Sequence, residues 1–228
     1  MNAALSGTEI CVFDAYGTLY DFNSAVARHR DAIGPKADAL SEMWRSKQVQ
    51  YTWLRNSMST YSPFWQVTGE ALDHCLAAVG ITDKSVREKL MGAYLALDPF
   101  PEVPAMLAKL KKAGKRLAIL SNGNPEMLDP MVKASGLADY FEAVISVDDA
   151  KIFKVDPKTY ELVKKRTGIG ADKVCFLSSN CWDAHGAAQF GFKVLWVNRG
   201  GVPEDNLPGK IVAQIKDLSH LPSQLGVV

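Results

Sequence analysis

Short apolar runs alternate along the chain with stretches of helical periodicity. Ile10-Cys11-Val12-Phe13 is four apolar residues without a break, ending at Asp14, as a strand buried on both faces would read. Val103, Met106, Leu107 and Leu110 then recur at i, i+3, i+4 and i+7, an amphipathic helix that ends near Gly114. Leu117 to Leu120 predicts a second strand, running into Ser121-Asn122. Asn124-Pro125 places a capping residue before proline at the first helical position, and Met127, Leu128, Met131 and Val132 supply that helix's apolar stripe. Ala143 to Ile145 predicts a third strand. Asp156-Pro157 repeats the cap-and-proline signal ahead of a helix whose Tyr160 and Val163 share a face. Val174 to Leu177 is a fourth strand ending at Ser178-Ser179-Asn180, a short helix begins near Asp183 and stops at Gly191, and Val194 to Val197 is a fifth strand. The alternation predicts an α/β fold, a Rossmann-like parallel sheet with helices on both faces.

One stretch departs from this rhythm. Between Tyr20 and Asp98 the periodicity is helical throughout. Leu40, Met43, Trp44, Tyr51 and Leu54 trace one side of a helix, and Ser41, Arg45, Gln48, Thr52 and Arg55 trace a polar side that spacing alone would turn to solvent. Ala71, Cys75, Ala78 and the stretch from Val86 to Leu97 predict further helices. The expected organisation is a helical cap domain over 20–98, inserted into a core domain formed by 1–19 and 99–228.

Composition narrows the function classes. With 228 residues, 47% hydrophobic and 22% charged, the chain has the make-up of a folded globular protein. Twenty-six Lys and Arg against twenty-five Asp and Glu leave a formal charge of +1, so no field of one sign draws in nucleic acid or an anionic membrane. No apolar run approaches the roughly 20 residues that span a bilayer, and Met1 to Glu9 lacks the basic and apolar regions of a signal peptide. A cytoplasmic protein is expected. Cys11, Cys75, Cys175 and Cys181 form no C-x-x-C pair, and the four histidines are scattered, so neither a disulfide framework nor a metal centre is expected.

In open parallel sheets, ligands bind outside the carboxyl ends of the strands. Those ends carry Asp14, Ser121-Asn122, Asp148-Asp149 and Ser178-Ser179-Asn180. Helix starts at the same edge favour an anion. An anion-binding cleft beneath a helical lid is expected, with the Asp14 carboxylate in it.

Asp14-Ala15-Tyr16-Gly17-Thr18-Leu19 after an apolar strand resembles the first motif of the haloacid dehalogenase superfamily. The later motifs follow in order: Ser121-Asn122-Gly123, Lys154-Val155-Asp156-Pro157, and Ser178-Ser179-Asn180-Cys181-Trp182-Asp183. The helical insertion sits where that superfamily carries a cap. Asp-Ala-Tyr-Gly-Thr, Trp44-Arg45 with Tyr51 and Trp53-Leu54-Arg55, and Ser-Ser-Asn-x-Trp-Asp look most like the L-2-haloacid dehalogenase branch. Val155 and Cys181 depart from that branch, which often has proline after the lysine and a small residue such as alanine before the tryptophan; neither departure removes a functional group.

The alternative is a Mg²⁺-dependent small-molecule phosphatase of the same superfamily. Phosphatases there use a second Asp two positions after the nucleophile as general acid for a basic alkoxide. Tyr16 occupies that position, and a departing halide needs no proton. The acidic metal ligand after the fourth strand aligns with Ser178.

The resemblance implies that Asp14 displaces halide from C2 of a small 2-haloalkanoate, forming an aspartyl ester that water then hydrolyses. It implies no cofactor, and a homodimer. Arg45 is expected over the halogen, Lys154 beside Asp14 and the ester oxyanion, and Tyr160 as a donor to Lys154 or to substrate. Ser121 and Asn122 are expected to hold the substrate carboxylate. Thr18, Ser178 and Asn180 would orient Asp14 or the hydrolytic water, and Asp183 would activate that water directly or through Lys154. Tyr16, Phe64 and Trp182 would wall the alkyl group.

Overall fold

The computed structural model describes residues 2–227. In chain order the strands are β1 (Ile10–Phe13), β2 (Tyr20–Asp21), β3 (Asp98–Pro99), β4 (Arg116–Ser121), β5 (Ala143–Ser146), β6 (Val174–Ser178), β7 (Lys193–Val197) and β8 (Ala213–Ile215). Six of them form one parallel sheet in the order β5-β4-β1-β6-β7-β8. β1 lies in the interior of that sheet, hydrogen-bonded to β4 and β6, and all four of its residues are buried. This explains the unbroken apolar run: a strand covered on both faces has no solvent side to make polar.

Among the described residues five α-helices precede β3: α1 (Asn23–Ala27), α2 (Arg30–Ile33), α3 (Ala37–Ser57), α4 (Phe64–Val79) and α5 (Lys84–Tyr94). Four more alternate with the sheet strands: α6 (Val103–Lys112), α7 (Pro125–Ala134), α8 (Pro157–Thr167) and α9 (Cys181–Phe190), and α10 (Leu221–Gln224) follows β8. The α/β architecture is the one the periodicity predicts.

Three features differ from the sequence reading. β2 and β3 pair antiparallel as a two-residue ribbon, Tyr20 with Pro99 and Asp21 with Asp98, at the two crossings between the helical segment and the sheet. β8 adds an edge strand. Both are too short for a periodicity to register. The third concerns α3, which buries residues of both its sides: Leu40 and Trp44 of the apolar side are buried as expected, but so are Ser41, Gln48 and Thr52 of the polar side, while Leu54 is 46% exposed. The polar side tolerates burial because its polar atoms are paired, Ser41 Oγ donating to Asn23 Oδ1, Gln48 Nε2 to Thr68 Oγ1 and Thr52 Oγ1 to the Val49 carbonyl.

Of the two cap-and-proline signals, Asp156 caps α8 through its carboxylate, which accepts from the Lys158 N–H at 2.9 Å. Asn124 makes no side-chain cap bond to the main chain of α7, although its Nδ2 donates to the Glu126 carboxylate there. Its Oδ1 accepts from the Trp65 N–H of α4 at 2.8 Å, tying α4 to the start of α7. All four cysteines are free thiols. Among the described residues no helix is long and apolar enough to cross a membrane.

Candidate active site

The site grows from the end of β1. The Asp14 N–H bonds to the Leu177 carbonyl at 2.9 Å, extending the β1–β6 ladder by one step and aiming the carboxylate off the sheet edge. The chain then turns at Gly17 (φ +84°), a conformation that favours glycine. The turn returns Thr18 over Asp14. Thr18 Oγ1 donates to Asp14 Oδ2 at 3.3 Å and accepts from the Ser179 N–H at 2.8 Å, joining the ends of β1 and β6.

The loop after β6 supplies Asn180. Its Nδ2 donates to Asp14 Oδ2 at 2.8 Å and to the Tyr16 carbonyl at 3.2 Å. Ser178 Oγ accepts the Asn180 N–H at 3.2 Å, so this serine fixes the loop that carries Asn180. From α3, Arg45 Nη2 reaches Asn180 Oδ1 at 3.1 Å, and its guanidinium stands 5.2 Å from the centre of the Phe22 ring.

Lys154 enters from the loop between β5 and α8. Its N–H donates to Asn122 Oδ1 at 3.0 Å, and Nζ lies 3.0 Å from Asp14 Oδ1 and 2.9 Å from Asp183 Oδ2. Burial by itself would pull the Lys154 pKa down, but the two carboxylates outweigh it and hold the ammonium above the ordinary lysine value. Burial pushes the Asp183 carboxyl up, with Lys154 opposing and Asp14 adding to the shift. Among the described residues, no group of three or more His, Cys, Asp or Glu is arranged to hold a metal ion. The positive charge between the two carboxylates is the lysine's.

The resemblance makes Tyr160 a donor to Lys154 or to substrate. Its hydroxyl instead donates to Asp183 Oδ1 at 2.8 Å. An ammonium has no lone pair to accept a phenol proton, whereas Asp183, fully buried, needs a donor on each oxygen. Ser121 Oγ accepts from the Gly123 N–H at 3.1 Å and shapes the turn after β4. Close packing requires that glycine: a Cβ there would lie 2.8 Å from the Tyr16 hydroxyl. Tyr16 packs against Phe64 and Tyr94 at ring separations of 5.8 and 5.5 Å. Its hydroxyl is buried without a partner, and burial drives the phenol pKa well up. Trp182 packs edge-on against Trp53 of α3 at 5.4 Å and lines a groove with Val155, Pro157 and His185.

Asp14, Thr18, Arg45, Asn122, Lys154, Tyr160, Ser178, Asn180 and Asp183 thus join one hydrogen-bonded network. Asp148 and Asp149 stand apart from it: Asp148 binds Tyr61 and Lys151, and Asp149 pairs with Arg166. Lys151, three positions before Lys154, is 63% exposed. The sequence reading missed Gln48, whose Oε1 accepts from Arg45 Nη1 at 2.9 Å, and Asn56, which bonds both main-chain polar groups of Phe153. It also missed Arg199, which donates to the Thr18 carbonyl at 2.9 Å. Gln48 had a readable signal, since it lies three residues past Arg45 on the same stripe.

A carboxylate at the end of an interior strand and a lysine bridging it to a second buried carboxylate thus form one enclosed charged cluster, in a chain whose helices are inserted after the first strand. The chain belongs to the haloacid dehalogenase-like hydrolases, whose family model matches residues 8–191. It is 45% identical over 212 residues, 92% of each chain, to (S)-2-haloacid dehalogenase 4A of Burkholderia cepacia. It is 43% identical over 216 residues, 94% of this chain and 95% of the other, to (S)-2-haloacid dehalogenase 1 of Pseudomonas sp. strain CBS-3. The solved L-2-haloacid dehalogenase of Xanthobacter autotrophicus with chloropropionic acid covalently bound superposes with a TM-score of 0.89 at 36% identity, covering 96% of this chain and 98% of that one.

Proposed function

We propose that this protein is an (S)-2-haloacid dehalogenase that converts L-2-haloacids to D-2-hydroxyacids and halide. The observation that carries the reading is the environment of Asp14: a carboxylate fixed by Thr18, Asn180 and Lys154, with the cationic side chain of Arg45 reaching the same asparagine from α3. Relatives of 45% and 43% identity that bear this activity support it.

In the proposed reaction an Asp14 oxygen attacks C2 from the face opposite the halogen. The C–X bond breaks, its electron pair leaves with the halide, and an ester links C2 to Asp14, inverting C2. Arg45, weakly hydrated and always charged, takes the departing halide. Water then attacks the ester carbonyl of Asp14 and passes a proton to Asp183; the tetrahedral intermediate collapses as the acyl C–O bond breaks, and the departing alkoxide takes that proton back from Asp183. The Lys154 ammonium balances the oxyanion, and the C–O bond to C2 survives into the 2-hydroxyacid. Fixing a weak nucleophile against its target supplies the acceleration, for which effective molarities of about 10⁵ M and above are available. Ser121 and Asn122 hold the substrate carboxylate, and Tyr16, Phe64 and Trp182 wall the alkyl group. The helical segment α1–α5 acts as a cap that excludes water during the first step. Two copies form a homodimer that works in the cytoplasm.

The test is incubation with L-2-chloropropionate and excess EDTA. Chloride and D-lactate are expected. Metal-dependent phosphate release from phosphate esters, without chloride, would point to the phosphatase chemistry instead. Single turnover in ¹⁸O-water should place the label in the Asp14 side chain; label appearing only in the hydroxyacid would refute the ester.

A further inference from the structure

Arg45 has two polar contacts, and only one of them is to the sheet side of the cleft. The other, at 2.9 Å, is to the side-chain oxygen of Gln48, which is fully buried. The hydrogen bonds around Gln48 fix which way its amide faces. Thr68 Oγ1 spends its only proton on the Phe64 carbonyl at 2.7 Å, so it can only accept from Gln48, at 2.7 Å. Gln48 therefore presents nitrogen to Thr68 and oxygen to Arg45. The Tyr94 hydroxyl donates to that same oxygen at 3.2 Å, and the Trp44 indole N–H donates to the Thr68 carbonyl at 2.9 Å. Thr68 is also fully buried, and Trp44 and Tyr94 are buried as well, so water cannot substitute for these partners.

We propose that Gln48 is a positioning residue for Arg45. Through it, the main chain of α4 at Phe64 fixes one edge of the guanidinium by way of Thr68, leaving the other edge for Asn180 and the departing halide. The inference rests on the dehalogenase reading and adds to it the element that sets the halide-binding cation. A flexible arginine would spread over several rotamers and lose alignment with the C–X axis. Displacement of about 1 Å at such a position costs on the order of a hundredfold in rate.

The test is single-turnover halide release by Gln48→Met, which keeps length and volume but removes all three side-chain hydrogen bonds, with 2-chloro- and 2-iodopropionate. Chloride, the more basic leaving ion, depends more on the cation that receives it. Release from the chloro acid is expected to fall about tenfold to a hundredfold, with a clearly smaller fall for the iodo acid and little change in ester hydrolysis. Equal falls for both halides, or no fall, would overturn the role. Thr68→Val removes the hydroxyl, and with it the acceptor that orients the amide and the bond to the Phe64 carbonyl, while leaving Gln48 in place; it is the deciding variant should Gln48→Met fail to fold. It is expected to raise the iodo-to-chloro rate ratio, with Thr68→Ser restoring it; an unchanged ratio overturns the proposal. Wild type run alongside separates the two readings. No halide from wild type removes the dehalogenase assignment and the inference with it, whereas wild-type release with unaltered selectivity in the variants removes the role of Gln48 alone.

Discussion

Lys154 Nζ lies 2.9 Å from Asp183 Oδ2, and neither side chain is more than 1% exposed. The same ammonium is 3.0 Å from Asp14, so a single cation serves two buried carboxylates. Taking these charges out of water is expensive unless every one is paired. The cluster meets that condition through Thr18 and Asn180 on Asp14 and Tyr160 on Asp183.

Removing the cation should therefore cost stability as well as activity. Lys154→Met leaves two buried carboxylates facing each other, and a loss of about 3–5 kcal/mol is expected. Urea unfolding at neutral pH measures it, and halide release should vanish at denaturant concentrations where the variant is still folded.

The alkaline limit of stability follows from the same group. The folded-state pKa of Lys154 is raised above 10.5, the ordinary lysine value, so folding favours its protonated form. Its stabilising contribution is whole below 10.5 and is lost as pH climbs through the higher folded value. Wild type is expected to lose unfolding free energy over that alkaline range more steeply than Lys154→Met. Parallel curves would show that the lysine is not the titrating group.

Asp183→Asn separates the two half-reactions. The substitution keeps the side chain's shape and leaves Asp14 paired with Lys154, so attack at C2 should proceed while ester hydrolysis stalls. One equivalent of halide per site is expected, with the protein gaining the mass of the carboxyalkyl group. Continued turnover at the wild-type rate would remove Asp183 from water activation.

Gly186 tests the support of Tyr160. A Cβ at that position would lie 2.7 Å from the Tyr160 hydroxyl and 2.6 Å from Val155 Cγ1. Gly186→Ala is expected to destabilise by about 1–3 kcal/mol through overpacking. It should also lower kcat more than it raises KM, because the displaced phenol withdraws its bond from Asp183. A melting curve and steady-state kinetics together check both.

Much of the sheet was readable because its strands are short, apolar and bounded by turn residues; Ile10–Phe13 occupies the span its run of apolar residues suggests. The resemblance in the first motif identified Asp14, whose side chain does lie at the sheet edge among polar partners. The partner of Tyr160 was not readable, since a phenol on a helix face has no sequence neighbour to declare what it will meet. Nor was the second role of Asn124, whose side-chain oxygen serves a helix about sixty residues earlier in the chain while its amide nitrogen reaches Glu126 of its own.

Taken alone, the sequence determined the parallel α/β alternation, the helical insertion after the first strand and the order of the motifs, since each is written in local periodicity and spacing. Tertiary structure decided which of two nearby lysines is enclosed: Lys154 is buried between carboxylates while Lys151 stands in solvent. It also turned the polar stripe of α3 inward, burying Gln48 behind Arg45. Hydrophobic patterning assumes an apolar interior, and a helix packed over a charged site meets a polar one as well, so there polar side chains find partners inside beside Leu40 and Trp44.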